Sequence, residues 1–192
     1  VDMTAICSIA DRCGLEVIED GSQAHGALHR GKKVGTFGGA SGFSCMGGKL
    51  LATTEAGYLV TSSEDVYWKA SMGGQHMGRS PEEGYPDALR PYADSLVYTY
   101  RLNPVSAVLL TEQLDKIDAE IVARRKNAAH FIRAMRGVTS VSFPRFPAGD
   151  EPSYHLFTMV FDSENAKVSR KSYLAALKAE GVGVFSYVPS PI

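Results

Sequence analysis

The spacing of apolar side chains predicts alternating helices and short strands up to residue 72. Residues Met3–Cys13 have apolar side chains at helical spacing and precede Gly14, a residue type that commonly ends helices. Ser63 is placed to cap a helix over Glu64–Met72. Short apolar runs between these helices predict three strands: Leu15–Asp20, Ala40–Cys45 and Gly57–Thr61. This alternation predicts an α/β layered domain with a mainly parallel sheet.

The second half of the chain predicts a long loop, a broken helix and a separate α+β unit. Residues 73–95 are rich in Gly, Pro and charge, which favours a loop. Asn103 and Pro104 suit a helix start, and helical spacing continues to Met135 with a break expected near Asp115–Asp118. Beyond it we expect these strands and this helix: Val138–Phe143, Leu156–Phe161, Gly183–Tyr187, and Val168–Ala179. We therefore expect one domain over residues 1–118, and a linking helix with part of a second domain over 119–192.

Composition narrows the class of protein without identifying it. The chain has 192 residues, 44% hydrophobic and 21% charged, which excludes a disordered chain. Its net charge of −1 argues against electrostatic binding to nucleic acid or to anionic membranes. No apolar run is long enough to span a membrane. Three cysteines without a C-x-x-C pair (Cys7, Cys13 and Cys45) favour a reducing, cytoplasmic environment.

Two glycine-rich stretches do not match nucleotide-binding motifs. The stretch 38–42 is not G-x-G-x-x-G, and it precedes a predicted strand where a dinucleotide site needs it to follow one. A P-loop around 47–49 fails because Phe43 and Leu50 stand where that motif needs Gly and Ser or Thr. A nucleotide-binding module is therefore the weakest of the functions considered.

Histidines at helical spacing do not make a metal site here. His25 and His29 are four residues apart, but Gly26 and Gly31 disfavour a helix through them. No carboxylate or thiol lies at a matching distance in the sequence. We expect no metal ion.

An acid, a hydroxyl and a lysine follow the predicted strands in a pattern that suits pyridoxal phosphate. Asp20 ends one strand and Lys49 follows another, with Ser44 five residues before Lys49 and glycines at 47 and 48 between them. Ligands of open α/β sheets bind at the carboxyl ends of the strands. There the acid can pair with the pyridine nitrogen, the lysine can form the Schiff base, and the hydroxyl can hold the phosphate.

Four blocks in series resemble the DegT/DnrJ/EryC1/StrS family of sugar aminotransferases, which are fold type I enzymes that use pyridoxal 5′-phosphate. The blocks are VIEDGSQAHGA (17–27), FSCMGGKLLATTEAGYLVT (43–61), YTYRLNPVSAVLLTEQLDKID (98–118), and SYHLFTMVFD (153–162) followed by LKAEGVGVFSYVPSP (177–191). The resemblance implies that residues 1–118 are the later part of the cofactor-binding large domain. It also implies that 119–192 open the smaller C-terminal domain, so that the chain is the central part of a longer enzyme.

The resemblance also assigns roles to site residues. It implies that Asp20 binds the pyridine nitrogen, Gln23 contacts the ring near its hydroxyl, and Ser44 binds the phosphate. Lys49 is implied to be the Schiff-base lysine and the base that moves the substrate proton. Arg101 falls where the family has a polar residue that reaches the neighbouring subunit's active site.

Two histidines are further candidates whose chemistry the sequence leaves open. His25 falls in the family's Q-A-H-G stretch, where it is either a site residue or a satisfied structural histidine. His76, in the long loop, is either a substrate-facing residue or a solvated side chain.

The function that the resemblance implies is amine transfer to a ketone. The acceptor is a keto-sugar, often nucleotide-linked, or a keto-cyclitol, the donor is an amino acid such as glutamate, and the enzyme is a homodimer. The alternative is a non-catalytic or incomplete member that only binds a ligand or regulates. Related dehydratases replace the Schiff-base lysine with histidine, and Lys49 argues against that reaction.

Overall fold

The structure is a computed structural model that describes residues 1–74, 84–92 and 98–186. In that part of the chain the α-helices are α1 (Met3–Cys13), α2 (Glu64–Gly74), α3 (Pro104–Leu114), α4 (Ile117–Ala134), α5 (Ser163–Ala166) and α6 (Arg170–Ala179). The strands are β1 (Ile18–Asp20), β2 (Leu28–His29), β3 (Lys32–Lys33), β4 (Ala40–Ser44), β5 (Gly57–Val60), β6 (Val141–Ser142) and β7 (Val160–Phe161). A 3₁₀ helix covers Asp87–Tyr92. No helix of these residues is both long enough and apolar enough to cross a membrane.

Capping residues explain where α1 and α3 begin and where α1 ends. Asp2 accepts a hydrogen bond from the Ala5 backbone N–H (3.0 Å) at the start of α1, and Gly14 ends that helix with a φ of 63°. Asn103 accepts one from the Val105 N–H (2.8 Å), with Pro104 in the first turn of α3. Two residues separate α3 from α4, so the predicted break in the long helix is confirmed.

A three-stranded sheet in the order β1–β4–β5 positions the candidate site residues. β1 pairs with β4 in parallel, and Asp20 lies opposite Gly42. β4 pairs with β5 in antiparallel, and Phe43 lies opposite Tyr58. The prediction of a mainly parallel sheet is therefore wrong for these strands, since one pair is parallel and one antiparallel. The physical reason is that no helix crosses over between β4 and β5, so the chain returns beside β4 in the opposite direction.

A small hairpin between β1 and β4 was not predicted. β2 and β3 pair antiparallel, and both turn residues have positive φ, 50° at Arg30 and 80° at Gly31. An Arg-Gly pair is a weak turn signal, and strands of two residues are too short to show an alternating apolar pattern. The hairpin therefore could not be predicted from the sequence.

The chain divides into two compact units, and the first contains the candidate site. It comprises residues 1–126 and 146–155, and the division falls within α4. Five buried side chains form its core cluster: Cys45, Leu50, Leu51, Ile117 and Ile121. Val105, Val108 and Leu109 of α3 are exposed, whereas Leu110 of α3 packs against the cluster, so the apolar stripe of residues 105–121 contributes to this core mainly through α4. The domain boundary expected after residue 118 stays a prediction about the whole protein.

The second unit comprises residues 127–145 and 156–192, of which the structure describes those up to 186. Its aromatic side chains cluster, with the rings of Phe131 and Phe157 5.3 Å apart and those of Phe143 and Phe157 5.5 Å apart. α6 begins at Arg170, slightly later than predicted, and the side chain of its N-cap residue Ser169 accepts a hydrogen bond from the Ser172 N–H.

The strands of the second unit are much shorter than predicted. The runs Val138–Phe143 and Leu156–Phe161 contribute only the two-residue strands β6 and β7. Residues 183–186 form no strand, which corrects the prediction for Gly183–Tyr187, and Tyr187 itself lies outside the described residues. Among the described residues β6 and β7 pair only with each other. An isolated pair of strands is only marginally stable, so it does not extend far.

The described part of residues 73–95, which were predicted to form a loop, is largely helical. Gly73 and Gly74 extend α2, and the 3₁₀ helix Asp87–Tyr92 occupies part of the remainder. Ser63 accepts a hydrogen bond from the Val66 N–H (3.3 Å), as expected of a cap for α2. Residues 75–83 and 93–95 lie outside the described residues.

Candidate active site

The carboxyl ends of β1 and β4 bring polar side chains to one edge of the sheet. Asp20 ends β1 and is exposed, and its carboxylate accepts a hydrogen bond from the Ser22 N–H (3.0 Å). Hydrogen bonds from Ser22, and then the charge of Lys49, hold the pKa of Asp20 below its usual range. Asp20 is therefore an ionised carboxylate at neutral pH, close enough to Lys49 for the two charges to attract.

A tight turn after β4 positions Lys49. The Ser44 hydroxyl, at the end of β4, accepts from the Met46 N–H (3.4 Å), and the Met46 carbonyl accepts from the Lys49 N–H (3.1 Å). Gly48 has a φ of 93°, a conformation that favours glycine. Buried Cys45 anchors the base of this turn, donating its N–H to the Ala56 carbonyl (2.8 Å) and accepting from the Thr53 N–H (2.8 Å). Lys49 is consequently half-buried on a fixed backbone.

His25 is buried against the aromatic side chains of β4 and β5. It is 2% exposed, and neither ring nitrogen has a partner among the described residues. Its ring packs against Phe43 (centroids 5.2 Å apart) and Tyr58 (6.0 Å). Burial first, and then the charges of His155 and Lys49, lower the pKa of His25, so its imidazole is neutral at pH 7.

Tyr58 completes the aromatic wall around His25. Its ring stacks on that of Phe43 across the β4–β5 ladder, with centroids 4.9 Å apart and planes 11° apart. Although Tyr58 keeps 40% of its surface exposed, burial of the rest, with a smaller contribution from Cys45, raises its pKa to about 12. Its hydroxyl therefore keeps its proton at physiological pH.

His155 is a member of this group that the sequence did not single out. Partial burial first, and then the charges of Lys49 and Arg124, lower the pKa of His155. Lys49 thus acts electrostatically on three groups: Asp20, His25 and His155. His155 stands 106 positions after Lys49, so no spacing within the sequence connects the two.

Glu19 supports the site from the opposite face of β1. It is 5% exposed, and its carboxylate accepts hydrogen bonds from the backbone N–H groups of Gly35 (2.7 Å), Phe37 (2.6 Å) and Gly38 (2.9 Å). A carboxylate shared among three backbone donors fixes the course of the 35–38 loop. The sequence analysis did not single out Glu19, because backbone amides leave no signal in a pattern of side chains.

The other predicted site residues are not all gathered here. Gln23 is exposed in the turn after β1, where the Gly21 carbonyl accepts from the Ala24 N–H (2.9 Å). Arg101 is exposed, and within the described residues no hydrogen bond or ion pair joins it to Asp20, Ser44 or Lys49. His76 lies outside the described residues.

Acidification is expected to destabilise the wild type more than His25→Phe. The unfolded chain protonates His25 below about pH 6.5, whereas burial opposes that protonation in the folded state. The stability conferred by neutral His25 is therefore present above about pH 6.5 and is lost as pH falls toward the lowered pKa. Phenylalanine keeps the ring contacts and removes no hydrogen bond.

The measurement is the urea midpoint at about pH 7.5 and about pH 5.5. His130→Gln, at an exposed histidine, is the matched control and should keep the wild-type pH dependence. An unchanged difference between the two midpoints in His25→Phe would show that His25 is not the titrating group.

The side chains at this edge of the sheet fit pyridoxal phosphate. The cofactor needs a carboxylate for its ring nitrogen, a primary amine for its aldehyde and donors for its phosphate. Asp20, Lys49 and Ser44 supply these three groups at the ends of two parallel strands. The neutral imidazoles of His25 and His155 add no positive charge beside the lysine.

Comparisons with known proteins agree on the family and the fold. The profile of the DegT/DnrJ/EryC1/StrS aminotransferase family matches residues 1–192. L-glutamine:2-deoxy-scyllo-inosose aminotransferase of Streptoalloteichus tenebrarius is 38% identical over 135 residues, which cover 66% of this chain and 31% of that protein. The dTDP-3-amino-3,4,6-trideoxy-alpha-D-glucose transaminase of Streptomyces venezuelae is 27% identical over 200 residues, covering 100% of this chain and 47% of its own length.

Solved structures give the same result for the backbone. S. venezuelae DesV, in complex with a ketimine intermediate, superimposes with a TM-score of 0.83 at 26% identity, covering 100% of this chain and 48% of that one. A family aminotransferase from Brucella abortus has a TM-score of 0.80 at 24% identity, with 100% and 47% covered. The chain thus spans about half the length of these relatives, and the predicted α/β fold of type I is confirmed. With the family profile matched along its whole length, the chain belongs to the DegT/DnrJ/EryC1/StrS aminotransferase family.

Proposed function

We propose that the protein containing this chain is a pyridoxal-phosphate-dependent aminotransferase. Its acceptor is a keto-sugar, often nucleotide-linked, or a keto-cyclitol, and its donor is an amino acid such as glutamate or glutamine. The observation that carries the proposal is the electrostatic grouping of Lys49 with the Asp20 carboxylate at the carboxyl edge of the sheet. The names of two relatives, one acting on 2-deoxy-scyllo-inosose and one on a dTDP-linked amino sugar, support this substrate class.

Asp20 and Ser44 would hold the cofactor at its two ends. When bound, pyridoxal phosphate supplies an electron sink that stabilises negative charge on the carbon attached to the transferred nitrogen. The Asp20 carboxylate, which is ionised at neutral pH, would keep the pyridine nitrogen protonated, as that role requires. Ser44, whose hydroxyl accepts from the Met46 N–H at the start of the Met46–Lys49 turn, would bind the phosphate. Gln23 would orient the ring at its hydroxyl.

Lys49 has two roles in the proposal. Its Nζ would be the covalent attachment point for the cofactor aldehyde, and the same amine would accept the proton that leaves the α-carbon of the amino donor. The fixed backbone turn at Met46–Lys49 limits the positions that Nζ can reach, so a single amine can serve both purposes. Arg101 is proposed to act from one subunit on the site of its neighbour, and His25 and His76 are candidate substrate-side residues.

The assembly and the compartment are proposals as well. The exposed apolar face of α3 and the exposed Arg101 support a homodimer with composite sites. Free Cys7, Cys13 and Cys45 support the reducing cytoplasm. A ligand-binding or regulatory member without catalysis would not need the Lys49 amine held beside an ionised carboxylate, so we favour the enzyme.

Covalent mapping in the full-length protein tests the proposal. The protein is incubated with pyridoxal phosphate, reduced with borohydride and digested, and the peptides are weighed. We expect the added mass on Lys49, since reduction makes the bond to the lysine amine permanent. An absent label, or one distributed over exposed lysines such as Lys69 and Lys116, would overturn the proposal.

A further inference from the structure

The segment 150–155 is fastened to the β2–β3 hairpin at its first two residues. Leu28 and Glu151 exchange two backbone hydrogen bonds (2.9 and 2.8 Å), which make an isolated antiparallel bridge. Asp150 meets Nδ1 of His29 at 2.8 Å, and His29 is 3% exposed. The Thr4 hydroxyl lies 2.9 Å from Nε2 of His29, so this buried imidazole joins the segment to α1 as well.

Two consecutive arginines of α4 hold the rest of the segment. Nε of Arg125 donates to the Pro152 carbonyl (2.8 Å), and its Nη2 donates to the Glu151 carbonyl (3.2 Å). The same guanidinium forms an ion pair with the Glu151 carboxylate. Arg124 donates to the Tyr154 carbonyl (3.3 Å). One planar guanidinium thus binds several oxygens of the segment at once, which a lysine cannot do.

The segment stores backbone strain immediately before His155. Tyr154 has a φ of 50°, in the left-handed region that residues other than glycine rarely adopt. Ser153, beside it, is 2% exposed, so the chain cannot relax outward without exposing a packed residue. Strain of this kind persists only where the surrounding contacts enforce it, and it is concentrated at functional positions.

We propose that segment 150–155 is a preorganised support that fixes His155 beside Lys49, with Arg125 and Arg124 as its positioning residues. The inference rests on the proposed function only for the chemistry that Lys49 performs. His155 directly follows the strained residue. Arg125, which holds the segment, also donates to the carbonyl of Gly26 (3.5 Å), the residue next to buried His25. The charges of Lys49 and Arg124 both act on the His155 imidazole. The charge of the same lysine also acts on neutral His25. Displacing His155 would remove a neutral hydrogen-bonding group from the place where substrate meets the lysine amine.

The test is Arg125→Lys in the full-length protein, with Arg133→Lys as control. Both changes keep the charge of α4, and Arg133 is an exposed arginine two turns later in the same helix. The first readout is the imidazole pKa of His155, followed by NMR on histidine-labelled protein and identified by the signal lost in His155→Gln. The second is kcat/KM for amine transfer. Circular dichroism verifies that each variant is folded.

In Arg125→Lys we expect the pKa of His155 to rise toward about 6.5, because the imidazole leaves Lys49 and becomes solvated. We expect kcat/KM to fall about 10- to 100-fold, the cost of misplacing a group by about an ångström. Arg133→Lys should change neither quantity. Asp150→Asn, which acts at the opposite end of the segment, should shift the pKa in the same direction if Arg125→Lys does not fold.

A folded Arg125→Lys protein with the wild-type pKa of His155 would overturn the inference, whatever its activity. A shifted pKa with unchanged kcat/KM would also overturn it, since the support would then serve no reaction. Failure of the proposed function is a separate result. It shows itself in the unmodified protein as the absence of a cofactor mass on Lys49.

Discussion

Replacing Lys49 by alanine in the full-length protein is expected to lower the rate of amine transfer about 10⁴-fold, because the attachment point and the proton-moving base are lost together. The fold should survive, since Lys49 is half-buried and its backbone N–H, which bonds to the Met46 carbonyl, is unchanged by the substitution. The measurement is single-turnover conversion of the amino donor. Unchanged binding of the acceptor would confirm that the site is otherwise intact.

Lys69→Ala is the matched control for this loss. Lys69 is exposed on α2 and pairs with Asp65 at 2.9 Å, a surface ion pair of little energetic value. The Lys69→Ala protein should transfer the amine at the wild-type rate within experimental error. External methylamine should restore part of the rate to Lys49→Ala and have no effect on the control. A Lys49→Ala protein that retains more than about a tenth of wild-type activity would contradict the assignment of Lys49 as the base.

Glu19→Ala is expected to lower the free energy of unfolding by about 4 kcal/mol, the largest effect on stability that the described contacts predict. The substitution leaves the N–H groups of Gly35, Phe37 and Gly38 without their acceptor. Each unsatisfied buried donor costs about 1–3 kcal/mol, and partial entry of water reduces the sum. Denaturant unfolding at neutral pH measures the change.

The neighbouring acid provides the control for that experiment. Asp20→Asn acts on an exposed side chain with one backbone hydrogen bond, so it should cost less than about 1 kcal/mol while impairing amine transfer. Glu19→Gln keeps an acceptor in place and should lie between the two in stability. If Glu19→Ala and Asp20→Asn destabilised the protein equally, the structural role given to Glu19 would be wrong.

Local signals predicted those parts of the fold that local interactions determine. Asn103 with Pro104, and Gly14, act within one helical turn, so the start of α3 and the end of α1 agree with the sequence. The direction of β5 depends on how the chain returns after β4, which apolar spacing does not encode. The strands of the second unit were predicted too long because β-branched and aromatic residues favour strands even where few partner strands are present.

The candidate site was predictable where its residues follow strand ends in a family order. Asp20 and Lys49 are only 29 positions apart and fall beside adjacent strands, so strand-end reasoning placed them together. His155 could not be found that way, because its segment is held by arginine contacts from α4 to backbone carbonyls, which leave no pattern in the sequence. Glu19 was hidden for a related reason, since its partners are backbone groups that every residue possesses.

The side chains of β1 alternate between the two faces of the sheet, and this alternation limits which insertions and deletions the protein can tolerate. Glu19 and Asp20 point to opposite faces of a strand of only three residues, so a shift of one position against β4 would exchange them. The acid that fastens the 35–38 loop would then face the lysine, and the acid of the site would be turned toward backbone amides. Single-residue insertions or deletions between Leu15 and Asp20 should therefore be eliminated from any library selected for activity.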